Sequence, residues 1–333
     1  MVGQATDGKA TAVACANIAF IKYWGRKDDA LRLPLNASIS MNLDRATTTT
    51  TVAFDPALER DEVVIEGMET AEKAAGRVSE HLDRVRSMAG ITTRARVASR
   101  NSFPAGAGIA SSASAFAALS AAGIAAAGVA MDERGLTVLA RLGSGSAARS
   151  IPAGFVEWYA GDRSEDSYAE QIAAPDHWDL CDLIALVQTG HKEVASTRGH
   201  ALVESSPFAD ARLAAAERAL PVVRDALLAR DFDVFGEETE LEAIRMHAVA
   251  MSSRPSVIYW SPATVAIMLA VREARADGVG AYFTIDAGAN VHVLCREDDA
   301  ADLDTRLRAV PGVLDVLVNR PGPGIQWVSG HLI

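Results

Sequence analysis

The stretch that most constrains this chain begins at Asn101-Ser-Phe-Pro-Ala-Gly-Ala-Gly-Ile-Ala-Ser-Ser-Ala-Ser114, a loop of small residues leading straight into an alanine-rich helix over 110–129. Such a helix offers no polar face to water, so it has to be buried between other elements. Its entry adds a second constraint. Gly106 and Gly108 let the backbone approach a ligand and take φ > 0 without a Cβ clash. Ala110, Ser111 and Ser112 then place unpaired N–H groups and two hydroxyls at a helix start, where the macrodipole favours an anion. The pattern reads as a phosphate cradle, distinct from the Walker loop because no Gly-Lys-Ser/Thr follows the glycines. A serine-capped tight loop is the alternative reading.

The 333 residues are enough for two domains and a large core. A net charge of −11 with no basic run argues against nucleic acid as a partner. It also means that cations near the glycines have been gathered locally. Cys15, Cys181 and Cys295 are scattered and lack metal-ligand spacing, which fits a reducing compartment. No apolar run is long enough to span a bilayer, and the first ten residues are polar and read as a frayed terminus. The expectation is a soluble, cytoplasmic protein.

Alternation and β-branching predict strands at 11–21, 38–43, 47–54, 92–99, 155–158, 183–187, 282–285, 291–294 and 313–318. Val63–Glu66 could pair beside the threonine-rich 47–54 run. Helical spacing appears at 70–89, 132–142, 209–231, 233–251, 261–277 and 298–308. Strands and helices mix without a strict βαβ alternation, so the fold class is α+β. The division expected is 1–185 and 186–333.

Four further clusters could carry chemistry. Lys22-Tyr-Trp-Gly-Arg-Lys-Asp28 directly follows an apolar strand and reads as a cationic lip or a solvated basic loop. Gly143-Ser-Gly-Ser-Ala-Ala-Arg149 reads as a second anion nest, with Arg149 able to fork a carboxylate or phosphate, or as a helix–helix turn. Ser196-Thr-Arg-Gly199 with Ser205-Ser206 offers hydroxyls. Ser206 before Pro207 also reads as a helix N-cap. Asp286-Ala-Gly-Ala-Asn290, between two strands, is either an Asx turn or a carboxylate aimed into a cleft. The histidines show no metal-site spacing, and no residue is singled out as a metal ligand.

Taken together, these segments resemble the mevalonate diphosphate/phosphomevalonate decarboxylase family of the GHMP kinase superfamily. The similarity runs in order through Asn17–Gly25, Leu33–Ser40, Asn101–Pro104, Ala110–Ala113, Gly143–Ser150, Gly154–Trp158, Ser196–Gly199 and Asp286–Asn290. It implies a two-domain α+β GHMP kinase fold with the active site in the cleft between domains, and a homodimer. It also implies a reaction in which ATP phosphorylates the 3-hydroxyl of a 5-phosphorylated mevalonate, after which phosphate and CO2 leave. By the resemblance, Asp286 orients or deprotonates that hydroxyl, Lys22 steadies developing charge, and Arg149 clamps the substrate carboxylate. Tyr23, Arg26, Ser144, Gly145 and Ser146 would meet the phosphate end, and Ser206 substrate or phosphate. Asn101, Pro104, Gly106, Gly108, Ala110, Ser111 and Ser112 would hold ATP with Mg2+. Thr197 or Thr284 would support the polar network.

The chain departs from the family pattern at Arg26 (usually Lys), Ala289 (usually Pro) and Ala148 (usually Cys). Ile258-Tyr-Trp-Ser-Pro262 and Pro321-Gly-Pro-Gly324 lean toward mevalonate 5-phosphate rather than the 5-diphosphate. A kinase that stops before decarboxylation, and a non-catalytic nucleotide-binding protein, are the rival readings.

Overall fold

A computed structural model describes residues 8–67, 72–103, 111–188 and 196–333. The strand at the N-terminus, β1 (Lys9–Ile21), begins earlier than its apolar run suggests. After it come a small ribbon, β2 (Arg26–Asp28) with β3 (Leu33–Pro34), and then the long β4 (Ser38–Phe54). The two strands expected at 38–43 and 47–54 are therefore one. They are joined through an irregularity where Cys15 pairs with Thr47 but Ala16 with Leu43. Next follow β5 (Glu62–Ile65), α1 (Glu72–Ala89), β6 (Ala95–Asn101), α2 (Ser111–Ala126) and α3 (Glu133–Gly143). β7 (Phe155–Trp158), β8 (Ala169–Ala173), β9 (Leu180–Leu186) and α4 (Ser196–Ala201) lead to the long helices α5 (Ala209–Ala229) and α6 (Phe232–Ser252). The chain continues through α7 (Pro262–Ala276), β10 (Ala281–Thr284), β11 (Val291–Arg296), α8 (Ala300–Ala309), β12 (Asp315–Asn319) and β13 (Gln326–Val328).

Among the described residues seven strands form the first sheet, in the order β13-β1-β4-β6-β5, with β7 and β8 continuing from the other half of β4. β5 pairs in parallel with β6 and not with β4, which corrects the pairing expected for Val63. The reason lies in β4, whose Thr48–Phe54 segment is already bonded to β1 on one side and β6 on the other. The second sheet runs β10-β11-β9-β12.

Burial explains the layers. On α2 every residue from Phe116 to Ala126 is buried, as its composition demands, and it packs among β1, β6, α1 and α3. At Gly123 an added Cβ would stand 3.3 Å from Leu82, so the missing side chain is what lets α1 and α2 approach. Alternation in β9 sends Leu180, Ile184 and Leu186 toward β1, β4, α5 and α6, while Cys181, Leu183 and Ala185 face α7 and α8. One core cluster thus joins both sheets, with Ile18, Phe20, Phe235 and Tyr282 among its members.

Helix ends follow local chemistry. Asp132 caps α3 by accepting from Gly135 N, and Asp231 caps α6 by accepting from Val234 N. Ser261 and Thr264 form a capping box with Pro262 at the first position of α7. Ser206 does not cap α5. That helix starts at Ala209, and the Ser206 hydroxyl instead accepts from Phe208 N at 3.2 Å and bonds Ser252 at 2.7 Å. At the far end of the chain β13 pairs with β1, Thr11 opposite Val328, and the Thr11 hydroxyl meets His331 Nδ1 at 2.7 Å.

Candidate active site

Two strand ends meet where the sheets face each other. Lys22 follows β1, Asp286 follows β10, and Lys22 Nζ donates to Asp286 Oδ1 at 2.6 Å. Lys22 is 1% exposed, whereas the Asp286 side chain keeps 29% of its surface. The carboxylate therefore has its lysine behind it and open space in front, and the Asx-turn reading gives way to the cleft reading. Burial alone would raise the Asp286 carboxyl, but the charges of Lys22, His292 and Arg149 outweigh it and hold the group below its ordinary value. Burial, reinforced by Arg149, draws the Lys22 ammonium down, and Asp286 and Glu242 resist that pull.

The backbone around Lys22 is pinned from below. Arg212 on α5 donates to the Lys22 carbonyl at 2.6 Å, to the Trp24 carbonyl at 3.2 Å and to Asn36 Oδ1 at 2.9 Å. It also pairs with Glu242 on α6, fully buried, and Glu242 accepts from Lys22 N at 3.3 Å. Asp286 is held in the same manner. Thr284 donates to the Ala19 carbonyl at 3.3 Å. Thr264 holds the Ala289 carbonyl at 2.6 Å, and the side-chain oxygen of Asn290 accepts from Val187 N at 2.8 Å.

Arg149 stands close enough for its charge to act on both Lys22 and Asp286. It sits in a 3-10 turn, Gly145–Ser150, that follows α3. Its Nη1 donates to Ser38 at 2.7 Å and its Nη2 to Asn17 Oδ1 at 3.2 Å, while its buried Nε has no partner. No carboxylate pairs with it among the described residues, and burial brings it down to about 10. A buried cation given only neutral acceptors is a costly arrangement that an anionic ligand relieves.

The Gly-Ser-Gly-Ser segment works differently from the nest expected. Gly143 and Gly145 are absent from the positive-φ glycines. What they supply is room: a Cβ on Gly145 would lie 2.6 Å from the Tyr23 ring, and one on Gly143 would overlap Phe116. Ser144 Oγ lies 3.3 Å from Ser112 Oγ, so the start of α2 and the end of α3 come together. Tyr23 OH accepts from Arg26 Nε at 2.8 Å, and Arg26 also pairs with Asp29 at 2.9 Å. Asn101 Oδ1 accepts from Thr48 at 2.8 Å.

Lys22, Tyr23, Arg26, Ser112, Ser144, Gly145, Arg149 and Asp286 thus fall in one region. The carbonyl of Ser146 accepts from Asn17 at 3.1 Å. Ser206 is engaged with Ser252 and makes no hydrogen bond to this group. Ser111 opens α2 and Thr197 lies on α4. Pro104, Gly106, Gly108 and Ala110 lie outside the described residues.

Sequence reasoning assigned no role to Arg212 or Glu242, two charged side chains among many on α5 and α6, and included Asn17 and Ser38 only within the longer similar stretches. It also missed His200. That ring stacks on Tyr23 and Trp24 at 4.2 and 4.8 Å between centroids and accepts from Gly25 N at 3.0 Å. Burial first, and then nearby arginines, keep it neutral, well below its ordinary pKa. Among the described residues no three His, Cys, Asp or Glu side chains converge as for a metal, and no helix is long and apolar enough to cross a membrane.

Comparison with known proteins follows the same outline. Residues 14–169 match the diphosphomevalonate decarboxylase-like N-terminal domain, and residues 182–315 the mevalonate 5-diphosphate decarboxylase C-terminal domain. Diphosphomevalonate decarboxylase of Ganoderma lucidum is 36% identical over 85% of this chain and 77% of its own length. Phosphomevalonate decarboxylase of Haloferax volcanii is 36% identical over 87% of this chain and 89% of its own. The solved complex of MDDEF with MVAPP, AMPPCP and magnesium superposes with a TM-score of 0.91 at 39% identity, covering 97% of this chain and 99% of that one.

Proposed function

Because the chain belongs to the mevalonate diphosphate decarboxylase family, whose members are carboxy-lyases, we propose that it decarboxylates a 5-phosphorylated mevalonate at the expense of ATP. The observation that carries this reading is the Lys22–Asp286 ion pair with Arg149, which has only neutral acceptors among the described residues, within reach of its charge. Asp286 accepts the 3-hydroxyl proton as that oxygen attacks the γ-phosphorus of ATP, and ADP leaves. Lys22, at 2.6 Å from Asp286, balances the negative charge moving through this point. The new 3-phosphate then departs with the C3–O electrons. The C1–C2 bond breaks to release CO2, and its electrons form the C2=C3 double bond. Arg149 holds the carboxylate until that step.

Asn101, Ser111 and Ser112, with Pro104, Gly106, Gly108 and Ala110, are the residues that would hold the nucleotide. The hydroxyls at the start of α2 suit its phosphates. Mg2+ supplies charge neutralisation on the phosphate oxygens. The similar protein solved with AMPPCP and magnesium supports both assignments. Tyr23, Arg26, Ser144, Gly145 and Ser146 meet the 5-phosphate end, and Ser206 is assigned to substrate or phosphate.

Of the two phosphate counts, the monophosphate is the first reading, supported by the Ile258–Pro262 and Pro321–Gly324 runs and by the relative from Haloferax volcanii. The diphosphate is the second, favoured by the relative from Ganoderma lucidum and by Arg32 and Arg149 near Tyr23, neither of which pairs with a described carboxylate. The test is CO2 and ADP release with ATP and Mg2+, supplying mevalonate 5-phosphate and 5-diphosphate in parallel. Equal amounts of CO2 and ADP from one substrate support the reading and fix the count. ADP without CO2 reduces the protein to a kinase, and silence with both overturns the assignment.

A further inference from the structure

The ribbon of β2 and β3 carries an arginine to which the reading above assigns no contact. Arg32 has a left-handed backbone, φ 52°, which a residue with a Cβ seldom adopts and which asparagine or glycine would take at lower cost. Its Nε donates to the Leu142 carbonyl at 2.9 Å, at the C-terminal end of α3, next to Ser144. Neither of its terminal nitrogens bonds a described residue, and no described carboxylate pairs with it. Arg77, on α1, anchors to the adjacent Gly143 carbonyl at 3.1 Å and likewise pairs with no described carboxylate.

Burial and then the like charges of Arg26 and Arg77 hold Arg32 below its ordinary pKa. The acids nearby stay at the rim: Asp29 is spent on Arg26, and Glu80 bears on Arg77 from its own helix. The Arg32 charge reaches Tyr23, whose hydroxyl sits on Arg26. In a chain of net charge −11, Arg26 and Arg77 both bear on Arg32, Arg26 and Arg32 also bear on Tyr23, and the exposed Asp29 and Glu80 are the acids beside them. Arg32 and Arg77 are each tied down by one bond to the end of α3, which leaves the terminal N–H groups of Arg32 without a described partner, whereas Arg26 is held by both Tyr23 and Asp29.

We propose that Arg32 is a specificity residue of this site, binding the phosphoryl group at the substrate's C5 end through its free terminal nitrogens. The inference rests on the reading of the substrate as a phosphorylated acid and adds a contact that the sequence motifs do not mark. A guanidinium pre-positioned by its Nε bond loses little further freedom when it forks a phosphate.

The test is calorimetric binding of inorganic phosphate and of inorganic pyrophosphate to the full chain, to Arg32→Asn and to Arg32→Lys. Asparagine tolerates the left-handed backbone and so removes the charge without straining the turn. The expected result is a loss of about tenfold or more in affinity for at least one anion in Arg32→Asn, partly restored by Arg32→Lys, with thermal unfolding unchanged. A larger loss for pyrophosphate assigns Arg32 to an outer phosphoryl group, and a larger loss for phosphate assigns it to the inner one. In turnover KM for the phosphorylated acid rises while kcat stays. Wild-type affinity for both anions in Arg32→Asn overturns the proposal. Anion binding is read without ATP or CO2 release, so a protein that binds through Arg32 yet does not decarboxylate would sink the proposed function alone.

Discussion

Replacing Asp286 by asparagine separates the electrostatic part of the site from its chemistry. The change leaves the Lys22 ammonium, 1% exposed, without a carboxylate. Breaking a buried pair from one side costs about 3–5 kcal/mol. There is also a ceiling, because lysine can give up its proton. Neutralising an ordinary lysine costs about 4.6 kcal/mol at pH 7 and about 1.9 kcal/mol at pH 9, at about 1.36 kcal/mol for each unit below its ordinary pKa of about 10.4. In the variant the folded state then binds fewer protons than the unfolded state, so stability rises with pH by up to about 1.4 kcal/mol per unit until the unfolded lysine itself titrates. In the wild type Asp286 and Glu242 resist that loss of the proton, so the slope is shallower there. Urea unfolding of both proteins at pH 7, 8 and 9 should therefore show the variant's deficit shrinking as pH rises. A deficit under about 1 kcal/mol at pH 7, or one unchanged at pH 9, would refute the claim that Asp286 is what keeps Lys22 charged. In the same variant kcat should fall by about 10²–10⁴ if Asp286 is the proton acceptor, and unchanged turnover removes that role.

Arg149→Leu should leave the unliganded protein as stable as wild type or more stable by about 0.5–2 kcal/mol, while activity is lost. A buried cation with neutral partners is a functional burden on the fold. A large drop in melting temperature would mean that the residue is structural. Gly145→Ala puts a Cβ 2.6 Å from the Tyr23 ring and should cost about 1–3 kcal/mol in urea unfolding. Because Tyr23 must move off Arg26, KM for the phosphorylated substrate should rise as well, and wild-type values of both would show that the close approach is dispensable.

The elements with strong local signals were legible. The helices α5, α6 and α7 fall within two residues of their sequence bounds, since periodicity and the caps at Asp231 and Ser261 are local properties. The pairing of β5 was not legible, because which strand a short run joins depends on who already occupies its neighbours. Ser206 followed by proline looked like a helix start, yet the hydroxyl found Ser252, 46 residues away in sequence, and the helix began later. The Gly-Ser-Gly-Ser run announced glycines without saying whether they serve φ or space, and only the Tyr23 and Phe116 rings decide it. Lys22 and Asp286 are 264 residues apart, and nothing local told an Asx turn from a cleft carboxylate. The resemblance to a known family marked both residues. The Arg212–Glu242 pair beneath them carried no motif and surfaced only with the contacts it makes.

The strand β13 has a temporal consequence. It supplies the outer partner of β1, and the Thr11–His331 bond beside it joins residues 320 apart in the chain. During synthesis the amino-terminal sheet therefore emerges with one margin unpaired until residues 326–328 have been made, although its other rungs are complete far earlier. Closing that margin is a late step of very long sequence separation, and an open strand margin is where one nascent copy can pair with another. Chains on a polysome that have not yet reached residue 326 would thus be in their most association-prone form, and making residues 326–328 removes the hazard.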